Sequence, residues 1–173
     1  MASSGHYKTE AIQEVFYGKG VAQSLKEIIS AQQGKAKIVF VTNTSLTKSG
    51  GLADQVKGII DEHCVAELKG LKAHSPRTDV ISLMHLLQDT ETDTVITLGG
   101  GSVCDTAKVA CIAIENDVTC AEDISKLTNG SNLNAPTIKH IAIPTTLSAG
   151  EYTGFAGITD ENIPRKELYY HAS

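Results

Sequence analysis

An apolar, β-branched run, Thr94-Val95-Ile96-Thr97-Leu98, enters three consecutive glycines, Gly99-Gly100-Gly101. The segment that leaves them, Ser102-Val103-Cys104-Asp105-Thr106-Ala107-Lys108, has helix-forming composition. Glycines at a strand-to-helix junction let an anion come close to the backbone, and the free N–H groups and positive dipole end of the helix then face it. The chemistry implied is the binding of a nucleotide pyrophosphate. Glycine clusters also make plain turns; it is the strand before and the helix after that favour the nucleotide. The run is not Gly-x-Gly-x-x-Gly followed by an acid on the next strand, and it lacks a Gly-Lys-Ser/Thr ending. Neither the common dinucleotide fingerprint nor the P-loop applies.

Asp105 follows Ser102 by three residues, in the first turn of the expected helix. A carboxylate there complements the helix dipole; it could equally accept hydrogen bonds from a ribose or a nicotinamide amide. A second segment, Ile143-Pro144-Thr145-Thr146-Leu147-Ser148-Ala149-Gly150-Glu151-Tyr152-Thr153, puts a hydroxyl-rich loop after an apolar strand. Its hydroxyls are neutral donors for phosphate or amide groups, although Thr and Ser also serve in ordinary turns and caps. The histidines (His6, His63, His74, His85, His140 and His171) are scattered, and Cys64, Cys104, Cys111 and Cys120 match no zinc spacing. These read as surface or satisfied histidines and reduced, partly buried thiols.

The elements that must position these residues alternate. Strands are expected at Ala11 to Tyr17, Lys37 to Thr42, Val65 to Leu68, Val95 to Leu98 and Ile138 to Ile143. Helical stripes lie between them: Val21, Leu25, Ile28 and Ile29, ended by Gly34; Leu52, Val56, Ile59 and Ile60; Val80, Leu83, Met84 and Leu87, capped by Thr78 or Asp79; and Val103, Ala107, Ala110 and Ile114. The order predicts an α/β fold with a parallel sheet flanked by helices on both faces, three layers in all and Rossmann-like. Ligands of such sheets bind beyond the carboxyl ends of the strands. Three polar loops fall there: Asn43-Thr44-Ser45, the glycine turn, and the Thr145 to Gly150 loop.

The 173 residues suffice for one domain with a sizeable core. The net charge of −5, with Lys and Arg scattered, gives no reason to expect nucleic acid or a membrane surface as partner. No stretch approaches the roughly 20 apolar residues of a membrane span. The first residues carry no apolar signal core, so the expected location is cytoplasmic.

The two loop segments together resemble the iron-containing alcohol dehydrogenase superfamily, which includes maleylacetate reductases and has dehydroquinate-synthase-like relatives. The family's GGGSxxDxAK motif is matched by Gly99, Gly100, Gly101, Ser102, Asp105, Ala107 and Lys108. Its PTT loop leading to a glutamate and a threonine is matched by Pro144, Thr145, Thr146, Glu151 and Thr153. The spacing of seven from Pro144 to Glu151 is closer to maleylacetate reductases. Phe16-Tyr17-Gly18 resembles the family's opening strand and turn. The resemblance covers almost the whole chain but only the amino-terminal half of a family protein. Residues 1–173 are thus expected to be a dinucleotide-binding domain without the helical domain.

The resemblance implies roles. Gly99, Gly100, Gly101 and Ser102 would hold the pyrophosphate of NAD or NADP, and Asp105 would face the nicotinamide end. Thr145, Thr146 and Ser148 would line the cleft (Ser148 by position rather than residue type). Ser75 would lie beside the adenosine, and Lys166 would match a ribose-contacting lysine. Many NAD-using members carry an aspartate where this chain has Asn43; a carboxylate there pairs with ribose hydroxyls and repels a 2′-phosphate. The uncharged Asn43 leaves NADP open, so the expected cofactor choice is permissive.

The family's iron or zinc is held by an aspartate and histidines of the second domain, so no metal is expected on this chain alone. The face that would meet that domain is expected to be open and apolar, to be covered by a dimer mate or another chain. The implied activity is hydride transfer between nicotinamide and a carbonyl or alcohol carbon of a small-molecule substrate. The alternative is a short relative with a non-redox role, as an isomerase, a cyclase or a nucleotide-binding module, using Asp105, Glu151 and Tyr152 in the open cleft.

Overall fold

The computed structural model describes residues 5–7, 12–32, 35–128 and 132–170. The expected helix end at Gly34 and part of the 129–134 connection lie outside them. The elements are β1 (Gly5–Tyr7), β2 (Val15–Tyr17), α1 (Ser24–Ser30), β3 (Ile38–Thr42), α2 (Leu52–Ile60), β4 (Cys64–Lys69), α3 (Arg77–Asp89), β5 (Thr94–Gly99), α4 (Gly101–Ile114), β6 (Lys139–Pro144), β7 (Phe155–Asp160) and β8 (Arg165–Tyr170). Short 3-10 turns precede α1 and α2, and a longer 3-10 run spans Ala121–Thr128.

Four strands form one parallel sheet in the order β4-β3-β5-β6. β3 and β5 are buried along their whole length, which is why both read as continuous apolar or β-branched runs rather than alternating ones. The period-2 geometry of β3 splits its side chains between two cores. Ile38 and Phe40 join Ile96 and Leu98 against Leu25 and Ile29 of α1 and Val56 and Ile60 of α2. Val39 and Val41 face the other way, onto Val80, Leu83 and Leu87 of α3 and Val103, Ala107 and Ala110 of α4. The three-layer α/β architecture is therefore the expected one.

One strand assignment is corrected. Val15–Tyr17 does not join the parallel sheet but pairs antiparallel with Gly5–Tyr7. The Gly157-Ile158-Thr159 segment belongs to an antiparallel β7–β8 hairpin. Its inner face packs Ala156, Ile158 and Tyr169 into the α3–α4 core. Its outer face leaves Phe155, Leu168 and Tyr170 exposed. The helix cap also differs. Pro76 occupies the N-cap position of α3, and the Asp79 carboxylate instead accepts a hydrogen bond from the Lys72 N–H at 2.7 Å.

The sheet order decides where a ligand can sit. From β3 the chain steps to β4 on one side, then returns across β3 to β5 and β6 on the other. The two directions diverge between β3 and β5, and the crevice beyond the carboxyl ends of these neighbours is the topological switch point of an open parallel sheet.

Candidate functional site

β5 delivers Gly99 into that crevice, and α4 begins at Gly101 with Gly100 as its N-cap. The first intrahelical donors are the amides of Val103 and Cys104, both reaching Gly100 O. The amides of Gly101 and Ser102 precede them and have no acceptor within the helix. No residue from 99 to 101 has a positive φ, so glycine is needed here for close approach. A Cβ on Gly99 would lie 2.6 Å from Val103 Cγ2, one on Gly100 would lie 3.1 Å from Thr146 Cγ2, and one on Gly101 would lie 3.0 Å from Ser148 Oγ. The loop after β6 thus lies directly against the glycine turn, and the Thr145 amide extends the sheet ladder by donating to Gly99 O at 2.9 Å. Thr145, Thr146 and Ser148 are all exposed.

Ser102 is held on three sides. Its Oγ accepts from the His74 N–H at 3.1 Å, and its carbonyl accepts from Ser75 Oγ at 3.0 Å and Thr106 Oγ1 at 2.9 Å. His74 and Ser75 both adopt left-handed backbone conformations, φ 69° and 50°, which are uncommon for residues other than glycine. Thr159 of β7 holds them there. Its N–H donates to Ser75 O at 2.9 Å and its Oγ1 to His74 O at 2.7 Å. Ser75 itself is 1 % exposed, so its hydroxyl secures the start of α4. Asn43 follows β3 across the switch point; it is half-buried, and its Oδ1 accepts from Ser45 Oγ at 3.3 Å.

Asp105 is the fifth residue of α4 and so lies beyond its first turn, not in it as expected, and its carboxylate reaches the hairpin. Its Oδ2 accepts the Gly157 N–H at 3.0 Å, and burial raises its pKa despite that bond and the nearby charges of Lys108 and Lys166. Lys166 lies along Gly157, where a Cβ would overlap its Cε. Glu151 and Cys104 border a small cleft with Gly99, Gly100 and Pro144. Tyr152 follows on an exposed 3-10 turn. Burial pushes the Cys104 thiol up to about 11 and Cys111 to about 12, which leaves them protonated and unreactive. A wider groove of about 480 Å³ follows the edge strand β4 past Cys64, Glu67 and Lys69 and shares no residue with this site.

Two contributors carried no site role in the sequence reading. Lys108 reaches the loop after β6, and His140 on β6 pairs its Nε2 with Thr97 Oγ1 at 2.8 Å. Burial, with the charge of Lys108, lowers the His140 pKa from 6.5 to about 4. Between those values the unfolded chain binds a proton that the folded chain refuses. Stability from this group is therefore complete above pH 6.5 and is lost as pH falls toward 4, by up to about 3 kcal/mol. His140→Gln keeps a partner for Thr97 and removes the titration. Urea unfolding at pH 7.5 and pH 4.5 is expected to show a smaller acid loss in the variant, and equal losses would exclude His140 as the cause.

Among the described residues, no three His, Cys, Asp or Glu side chains come together as a metal site requires. These residues do not fit an iron or zinc ion. No helix is long and apolar enough to cross a membrane among the described residues.

The model of the family described as "Iron-containing alcohol dehydrogenase" matches residues 13–173. The chain belongs to the iron-containing alcohol dehydrogenase family. Among family relatives, the dehydrogenase FUM7 of Gibberella moniliformis is 34% identical over 148 residues, covering 79% of this chain and 35% of that protein. The NADPH-dependent butanol dehydrogenase of Clostridium saccharobutylicum is 32% identical over 151 residues, covering 85% of this chain and 37% of that protein. Sulfoacetaldehyde reductase from Bifidobacterium kashiwanohense, solved in complex with NAD+, superposes with a TM-score of 0.78 at 23% identity, covering 89% of this chain and 40% of that one; this likeness shows the shared fold. The chain spans well under half the length of these family proteins.

Proposed function

We propose that this chain is the cofactor-binding part of an NAD(P)-dependent oxidoreductase acting on a small alcohol or carbonyl compound. The observation that carries this reading is the glycine turn at the β3/β5 switch point with the hydroxyl loop set against it. The site fits a dinucleotide. Two helix-start amides are available for a pyrophosphate, and the Ser102 hydroxyl, one lone pair engaged by the His74 N–H, is left to donate its proton outward. Thr145, Thr146 and Ser148 add neutral donors along the same wall. Asn43 meets the adenosine ribose, Ser75 fixes the adenosine side through Ser102, and Asp105 and Lys166 border the far end. A bound nicotinamide dinucleotide would supply the hydride that passes to or from the substrate carbon. The exposed outer face of β7–β8 is the apolar surface that a further chain would cover.

Titration with NADH and NADPH, followed by nicotinamide fluorescence, tests the assignment. Saturable binding of both, within about tenfold of each other, is expected because Asn43 carries no charge to repel a 2′-phosphate. Asn43→Asp is expected to weaken NADPH on the order of tenfold while sparing NADH. Absence of binding to either dinucleotide would remove the assignment, and strong rejection of NADPH by the unmodified chain would remove the role of Asn43.

A further inference from the structure

Lys108 lies two turns into α4. Its ammonium donates to three backbone carbonyls, Gly150 O at 2.5 Å, Thr153 O at 2.5 Å and Phe155 O at 3.1 Å. An ammonium has three N–H donors, and three carbonyls occupy them all. One turn earlier on the same helix, the Asp105 carboxylate takes the Gly157 N–H. α4 therefore grips residues 150–157 with both signs of charge, a cation on the carbonyls and an anion on an amide. The far side of this grip matters. Residues 145–149 are exposed, without a helix or strand. They are tied at one end by the Thr145 N–H on Gly99 O. Ala149, at the other end, is left-handed at φ 58°, and Gly150, the next residue, is in Lys108's grip.

We propose that Lys108 is a positioning residue, whose ammonium sets the loop that presents Thr145, Thr146 and Ser148 to the glycine turn. The three carbonyls form a cup for a small primary ammonium ion. The proposal rests on the dinucleotide reading for its effect on affinity, but its effect on the loop stands apart from that reading. Without the ammonium, three carbonyls turned toward one point repel each other, and the loop between Thr145 and Gly150 loses its second anchor. Truncation to alanine removes the atoms of a propylammonium ion, so n-propylammonium is the matching external replacement. Tetramethylammonium carries the same charge and has no N–H to donate.

Two readouts on the 173-residue chain decide it: hydrogen exchange of the amides of residues 145–153, and NADH affinity. Lys108→Ala is expected to speed exchange in this loop on the order of tenfold and to weaken NADH on the order of tenfold, the scale of lost charge-assisted hydrogen bonds. n-Propylammonium at tens of millimolar is expected to restore most of both, and tetramethylammonium at equal ionic strength to restore neither. Lys108→Met keeps an unbranched side chain, one atom shorter, and removes the donors, so it is expected to show the same losses without rescue. It also carries the test should the alanine variant fail to fold. Unchanged loop exchange in the methionine variant, or equal rescue by the two cations, would overturn the proposal. If the unmodified chain binds no NADH, the dinucleotide reading falls and the exchange readout still decides the role of Lys108.

Discussion

Gly101→Val is expected to weaken NADH binding on the order of 100-fold while leaving cooperative thermal unfolding intact. The amides of Gly101 and Ser102 are the helix-start donors with no acceptor inside α4. Hydrogen bonds to a charged group contribute about 1.5–3 kcal/mol each, and tenfold in affinity is about 1.4 kcal/mol, so one or two lost contacts account for the effect. The fold has little reason to object. Gly101 has no positive φ, and valine is a slightly better helix residue than glycine. What objects is the loop, since a Cβ at 101 would lie 3.0 Å from Ser148 Oγ and 3.2 Å from Ser148 Cβ. Gly101→Ala is accordingly expected to cost about tenfold, partly recovered by adding Ser148→Gly, whereas valine still shields the amides in that background. Fluorescence titration with parallel melting curves reads both. A valine variant that binds NADH within about threefold of the unmodified chain would mean that the anion does not sit on this turn.

That expectation could be formed from the sequence because the glycine turn declares itself locally. Thr94–Gly99 is a β-branched run and Gly101–Ile114 an apolar-striped one, and each forms the element its pattern dictates. The two-core layout was legible in the alternation of strands and helices, which puts helices on both faces of a parallel sheet. The misses share a different physical origin. Val15–Tyr17 is three residues long, too short to show whether it pairs parallel or antiparallel. Ser75 is a loop serine until Thr159, 84 positions further on, and Ser102 fix its left-handed backbone and bury it. Lys108 reads as the polar end of a helix motif, yet its acceptors are carbonyls 42 to 47 residues away. Contacts made to backbone atoms of distant segments leave no trace in residue type, so a positioning residue stays hidden where a binding turn does not.

Arg77→Met is expected to cost about 3–5 kcal/mol of stability, the usual penalty for stranding buried charges, and so to lower the melting temperature by roughly 10 °C. The Arg77 side chain is 7% exposed and joins three parts of the chain at the start of α3. Its Nη1 lies 3.1 Å from Asp160 Oδ2 and donates to Ala121 O at 3.2 Å, and its Nη2 lies 2.5 Å from Glu167 Oε2. The Tyr169 hydroxyl donates to the same Glu167 oxygen at 2.5 Å. That bond, and Arg77 behind it, outweigh burial and hold the Glu167 pKa below the usual carboxylate range. Removing the guanidinium leaves two carboxylates, 14% and 19% exposed, facing each other without a cation. The Glu167 carboxyl, no longer held down by the guanidinium, then rises in pKa, so its protonation relieves the variant as pH falls. Its deficit against the unmodified chain is expected to narrow from pH 7 to pH 5, and Glu167→Gln added to Arg77→Met should recover part of it at pH 7. The hairpin released by this change also supplies Thr159 to Ser75 and Gly157 to Asp105, the two ties that steady the start of α4. NADH affinity is therefore expected to drop with the hairpin's stability, and the Glu167→Gln addition should restore both together. Recovery of the melting temperature without recovery of affinity would show that the hairpin stabilises the fold and does not set the site.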